Sequence, residues 1–99
     1  MKIPDQKLRL VEKILINAIK ELNHSKPEVA FSAATFFTKR NHDMFCRMIM
    51  LDPDIIYQQA LEVLREKGVR AKRLSNDTAE YVQNHTNNLI KSQDGGEDA

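Results

Sequence analysis

Few residues in this chain have types and spacing suited to catalysis. His42 and Cys46 stand four apart, a spacing that on a helix turns two metal ligands to one side. Two ligands do not close a structural zinc site, and His24 and His85 lie far off in sequence with no ligand cluster around them. Cys46 therefore reads as a small buried hydrophobe, and His85 as a partly buried, hydrogen-bonded side chain. Asp52 and Asp54 form a carboxylate pair, the raw material of acid–base catalysis. A helix start accounts for both: Asp52 as N-cap, Pro53 at the first helical position, Asp54 against the positive end of the helix dipole. Gly-rich loops that could cradle a nucleotide phosphate are missing, since the chain has only three glycines. The expectation is a protein with no enzymatic activity, no metal and no cofactor.

The chemistry that remains is charge. The 99 residues hold 15 Lys+Arg against 14 Asp+Glu, a net +1, so no global excess argues for a polyanionic partner. The distribution is less even. Residues 39–73 carry eight basic residues and five acidic ones, a balance of +3, whereas residues 74–99 carry Lys91 against five acids, a balance of −4. Arg65, Lys67, Arg70, Lys72 and Arg73 crowd into nine residues interrupted only by Glu66. Such a cluster can contact several backbone phosphates, with a steep salt dependence, or it can be a solvated helix end.

These side chains must be positioned by helices. Glycine and proline are rare, and apolar residues recur at steps of three and four. The spacing predicts a first helix over about 5–23, with Leu8, Val11, Leu15, Ala18, Ile19 and Leu22 on one face and Leu10 and Ile14 widening it. Ser25-Lys26-Pro27-Glu28 fits a capping box opening a second helix, which holds three of the four phenylalanines and reads as the central core helix. A short third helix is expected over about 42–50. The Leu51-Asp52-Pro53-Asp54 joint opens a fourth, running through Ile56, Ala60 and Val63 to a left-handed cap at Gly68. Residues 69–75 read as a basic connector. A fifth helix is expected from Ser75 or Asp77, edged by Val82, Leu89 and Ile90. The fold class is thus an all-α bundle of about five helices, one domain over 1–92, with a disordered acidic tail over 93–99. No apolar run reaches the roughly 18–20 residues of a membrane span. The N-terminus shows no secretory pattern, so a cytoplasmic setting is expected.

Residues 42–64 resemble a helix-turn-helix. Cys46 is the small residue where the helices cross, Leu51 follows the turn, and Ile56 is the next apolar position. Met50 stands where the motif prefers glycine, and Gln59 where it prefers an apolar residue. In that reading Gln58 pairs with adenine and Arg65 reaches guanine or phosphate, with Tyr57 at the side. Lys67, Arg70, Lys72 and Arg73 hold phosphates, and Arg40 and Arg47 assist. The run FFTKRNHDMFCRMIMLDPDIIYQQAL also resembles a signature of small phage and prophage proteins, over about residues 33–64. Their turn often reads Gly-Leu-Asp-Pro. The resemblance implies a phage-type accessory protein with a helix-turn-helix-like core and no assigned activity. Two functions follow as expectations. One is binding of double-stranded DNA. The other is protein–protein interaction, with a second copy or a host protein, through the wide face of the first helix or the methionines at 44, 48 and 50.

Overall fold

The computed structural model describes residues 2–97, with side chains to Gln93. Five helices and no strand are present among the described residues: α1 (Asp5–Glu21), α2 (Pro27–Thr38), α3 (His42–Met48), α4 (Pro53–Arg65) and α5 (Gly68–Glu97). The all-helical bundle read from periodicity is the observed fold.

The longest packed pair is α1 with α5. Leu8, Val11, Leu15 and Ile19 of α1 are buried, against a stripe of small residues on α5 that includes Ala71, Ser75, Ala79 and Val82. Small side chains let the two backbones approach, and polar ones in the stripe are satisfied. Ser75 donates to the Ile19 carbonyl at 2.9 Å, Thr78 to Leu74 at 3.0 Å, and Thr86 to Val82 at 2.9 Å. The pairing is antiparallel. Ile3 and Gln93 exchange two hydrogen bonds at one end, and Asn23 donates to the Ala71 carbonyl at the other.

The start of α5 corrects the sequence reading. Residues 69–75 are not a connector but the first two turns of a 30-residue helix. Arg, Ala, Lys and Leu are good helix formers, and Ala71 and Ser75 anchor the segment on α1. The glycine cap expected for α4 is corrected with it: α4 ends on Glu66 in an extended conformation (φ −98°, ψ 167°), and Gly68, left-handed at φ +62°, instead opens α5. A disordered tail was expected over 93–99, but α5 carries residues 93–97 as helix, with Gln93 bonded to Ile3; the side chains of Asp94 and Glu97, and Asp98 as a whole, lie outside the described residues.

The start of α2 is a second correction. Its N-cap is Lys26, with no side-chain capping bond, so Ser25 falls one residue too early for the capping box. The Lys26 amide instead donates to His24 Nδ1 at 3.0 Å. Nor is α2 the centre of the core, since only Ala33 and Phe37 are buried on it. Its apolar residues encircle the helix, and neighbours cover one side only. Phe31 is left 74% exposed.

Both turns flanking α3 close without glycine. After α2, Arg40 N–H donates to Phe37 O at 2.9 Å and Asn41 N–H to Phe36 O at 3.0 Å. After α3, Met50 N–H donates to Arg47 O at 3.1 Å and Leu51 N–H to Cys46 O at 2.8 Å. Each is a Schellman motif, with Arg40 (φ 62°) and Met50 (φ 57°) in the left-handed position. A tight turn therefore forms at Met50, where the motif prefers glycine. A left-handed non-glycine residue costs about 1–2 kcal/mol, partly offset for glycine by its greater freedom when unfolded. Met50 is 70% exposed, so little packing is at stake. Met50→Gly is expected to stabilise the protein by about 0.5–1 kcal/mol. A urea midpoint that falls instead would contradict the left-handed turn.

Candidate nucleic-acid interface

At the joint, α3 and α4 are tied by a polar knot. Asp52 caps α4, its carboxylate accepting from the Asp54 amide at 2.9 Å, as the Asp-Pro-Asp pattern predicts. The Arg40 guanidinium pairs with Asp43 at 2.9 Å and with Asp54, and lies 4.6 Å from the centroid of the Tyr57 ring. Asp54, then Asp43, raise the Arg40 pKa further above its ordinary value. Beneath Tyr57, stacked at 6.1 Å, sits His42, which is fully buried and also bounded by Phe36 and Phe37. Its Nε2 lies 3.1 Å from the Pro53 carbonyl. That carbonyl can only accept, so Nε2 carries the proton. Nδ1 is the one buried side-chain polar atom without a hydrogen-bond partner among the described residues. On the other side of the joint His85 donates from Nε2 to the Ile49 carbonyl at 2.6 Å, the partly buried role expected of it.

This knot occupies two of the residues assigned to DNA. Arg40 has donors turned to two carboxylates, and the Tyr57 ring packs against both Arg40 and His42. Gln58 and Arg65 remain exposed on α4. The same surface carries Asp54 at the helix start and Glu62 further on, so its charge is poorly suited to entering a groove between phosphates. Arg47 is exposed on α3, near the joint. With 1.5 Å per residue, the 13 residues of α4 separate the joint from Arg65 by about 20 Å. Arg40 and Arg47 thus do not join the other cations.

At the far end of α4 the basic residues do gather. Arg65 ends α4, Lys67 lies in the turn, and Arg70, Lys72 and Arg73 stand on the opening turns of α5. All five are exposed. Arg70 pairs with Glu66 at 3.1 Å, a solvent-exposed i,i+4 pair of little strength. The other four form no ion pair among the described residues. They do not share one face. Arg70 stands one turn before Leu74, which faces α4 across a cleft with Gln59 and Tyr81. Lys72 points the other way, into a cleft against α1, and Arg73 faces outward between them. Sequence reasoning missed Lys20 and His24, which share that second cleft. Nothing local marks them, because 48 residues separate Asn23 from its partner Ala71.

Cys46 is buried in the core, as expected. Burial pushes its thiol from 9.0 up to about 12, with Asp43 adding and Arg40 opposing. A thiol-selective disulfide reagent is therefore expected to label it only on unfolding. The folded value lies above the unfolded one, so this group's contribution to stability is whole below about pH 9 and is lost as pH climbs toward 12. Cys46→Ala should flatten that alkaline loss. Rapid labelling of the native protein would contradict the burial.

Among the described residues no three His, Cys, Asp or Glu side chains gather as a metal-ligating group, and no helix is long and apolar enough to cross a membrane. Compared with known protein families, curated proteins and solved structures, the chain matches none.

Proposed function

We propose that this protein binds the phosphate backbone of double-stranded DNA with the end of the bundle where α4 meets α5. The observation that carries the reading is that Arg70, Lys72 and Arg73 stand on a rigid helix immediately after Arg65 and Lys67. Ordered cations without strong internal partners lose little entropy when phosphates displace their counterions. The reading is one of charge and shape. It puts no recognition helix in the major groove, because Arg40 and Tyr57 are engaged and Asp54 lies at the start of α4. The phage-type resemblance of residues 33–64 would place this activity in a phage accessory protein.

The test is a fluorescence-anisotropy titration with a duplex of arbitrary sequence. Micromolar binding at 50 mM salt should weaken about 100-fold by 200 mM if about four phosphates are contacted. Changing the duplex sequence should have little effect. No complex at tens of micromolar in 50 mM salt would refute the proposal.

A second reading rests on a different surface. Ile14 and Ala18 of α1 and Ala33 and Phe36 of α2 line a cleft of about 340 Å³, rimmed by Asn17, Glu21 and Ser32, beside the exposed Phe31. This is the surface for a protein partner or a second copy. Sedimentation showing a dimer that Phe31→Ser dissociates would support it, and a strict monomer that captures no host protein would count against it.

A further inference from the structure

We infer that the cleft between the last turn of α1 and the first turns of α5 is a binding site for a single phosphate group, borne by a nucleotide or by a nucleic-acid strand. The cleft measures about 410 Å³ and is lined by Lys20, Asn23, His24, Lys72, Ser75 and Asn76. That volume is in the range of small-ligand sites. Its chemistry is one-sided, with two ammonium groups, an imidazole, two amides and a hydroxyl, and no carboxylate.

The local hydrogen bonds leave donors uncommitted at its lining. His24 Nδ1 accepts from the Lys26 amide, so the neutral ring carries its proton on Nε2, the nitrogen left to donate. Asn23 spends one amide hydrogen on the Ala71 carbonyl and keeps the other. The Ser75 hydroxyl is committed to Ile19, which fixes the floor of the cleft. Lys20 and Lys72 come from opposite walls and have no ion-pair partner among the described residues. Charge-assisted donors lining one cleft suit a phosphate oxyanion better than a carbonyl or a cation. A neighbouring cleft of about 470 Å³ shares Lys20 and Asn76 and continues past Gln83, Asn84 and Glu80. The amides there can meet the base or sugar edge of a nucleotide. The Glu80 carboxylate confines the phosphate to the His24 end.

This site shares Lys72 with the duplex reading but needs neither Arg70 nor Arg73. Lys20 and Lys72 face each other across the α1–α5 seam, whereas Arg70 and Arg73 face α4 and solvent. The test is amide-resolved NMR of the full chain, titrated with inorganic phosphate, a 5′-mononucleotide and a short single-stranded oligonucleotide, against chloride at equal ionic strength. Saturable shifts centred on residues 20–24 and 72–76 are expected with all three. Mononucleotide binding as tight as the oligonucleotide would identify a free nucleotide as the source, and a much tighter oligonucleotide would identify a strand. Lys20→Glu with Lys72→Glu should weaken phosphate binding at least about tenfold, and both positions are exposed, so the remaining spectrum should hold. Arg70→Glu with Arg73→Glu should leave it unchanged. Shifts no larger than those from chloride, shifts confined to residues 65–70, or indifference to the Lys20/Lys72 pair would overturn the inference.

Discussion

Reversing Lys67, Arg70 and Arg73 together to glutamate is expected to lower duplex affinity by at least about 100-fold at low salt and to cut the log–log salt slope by about 2.7. Each cation released from phosphate contact removes roughly 0.9 from that slope, and reversal adds repulsion to the loss. The folded structure should tolerate the change. All three side chains are exposed, and among the described residues their one ion-pair partner is Glu66, in the weak surface pair with Arg70. Gln58→Ala distinguishes the two ways of docking. A recognition helix in the major groove would lose about 1–3 kcal/mol with Gln58, whereas backbone binding at the α4–α5 end would barely register it. A triple reversal that binds as tightly as the parent, with an unchanged slope, would remove the basic end from any nucleic-acid role.

The second large effect is on stability. Phe37→Ala is expected to destabilise the protein by about 3–5 kcal/mol. Phe37 is fully buried, meets Phe36 edge-on at 5.2 Å and lies 5.1 Å from the His42 ring. Its removal opens a cavity under the knot that holds α3 on α4, where the orphan Nδ1 of His42 is already unsatisfied. A domain of this size is stable by about 5–15 kcal/mol in total, so the variant should melt about 15–30 °C lower. Phe31→Ala, on the same helix but 74% exposed, should stay within about 0.5 kcal/mol. Equal losses at the two positions would mean that α2 presents a different face to the bundle.

These two phenylalanines show where sequence reading stops. They stand six apart on a helix that is apolar nearly all round, so its periodicity does not say which side is covered. On α1 the stripe is narrower, and Leu8, Val11, Leu15, Ile19 and Leu22 are buried as their spacing predicts. Leu10, which widens the stripe on paper, stays 60% exposed. The candidate site divides in the same way. The run of cations from Arg65 to Arg73 is plain in the sequence, but their separation over the flanks of α5 follows from where that helix starts and what it packs on. Arg40 looks like one more phosphate ligand until Asp54, 14 residues away, is seen to hold it.

The amino-acid sequence alone determined that this chain is helical, that Asp52 and Pro53 open α4 and that Cys46 is buried. Each of these is settled within a turn or two of backbone, by a cap, a fixed φ or an apolar period. Only the tertiary structure decided that residues 69–75 are helix, that Arg40 and Tyr57 serve the joint, and that Lys20 and His24 face Lys72. The reason is that these outcomes depend on partners tens of residues apart. Local propensity is a weak term there, and burial against a distant helix, together with the pairing of charges it brings close, outweighs it.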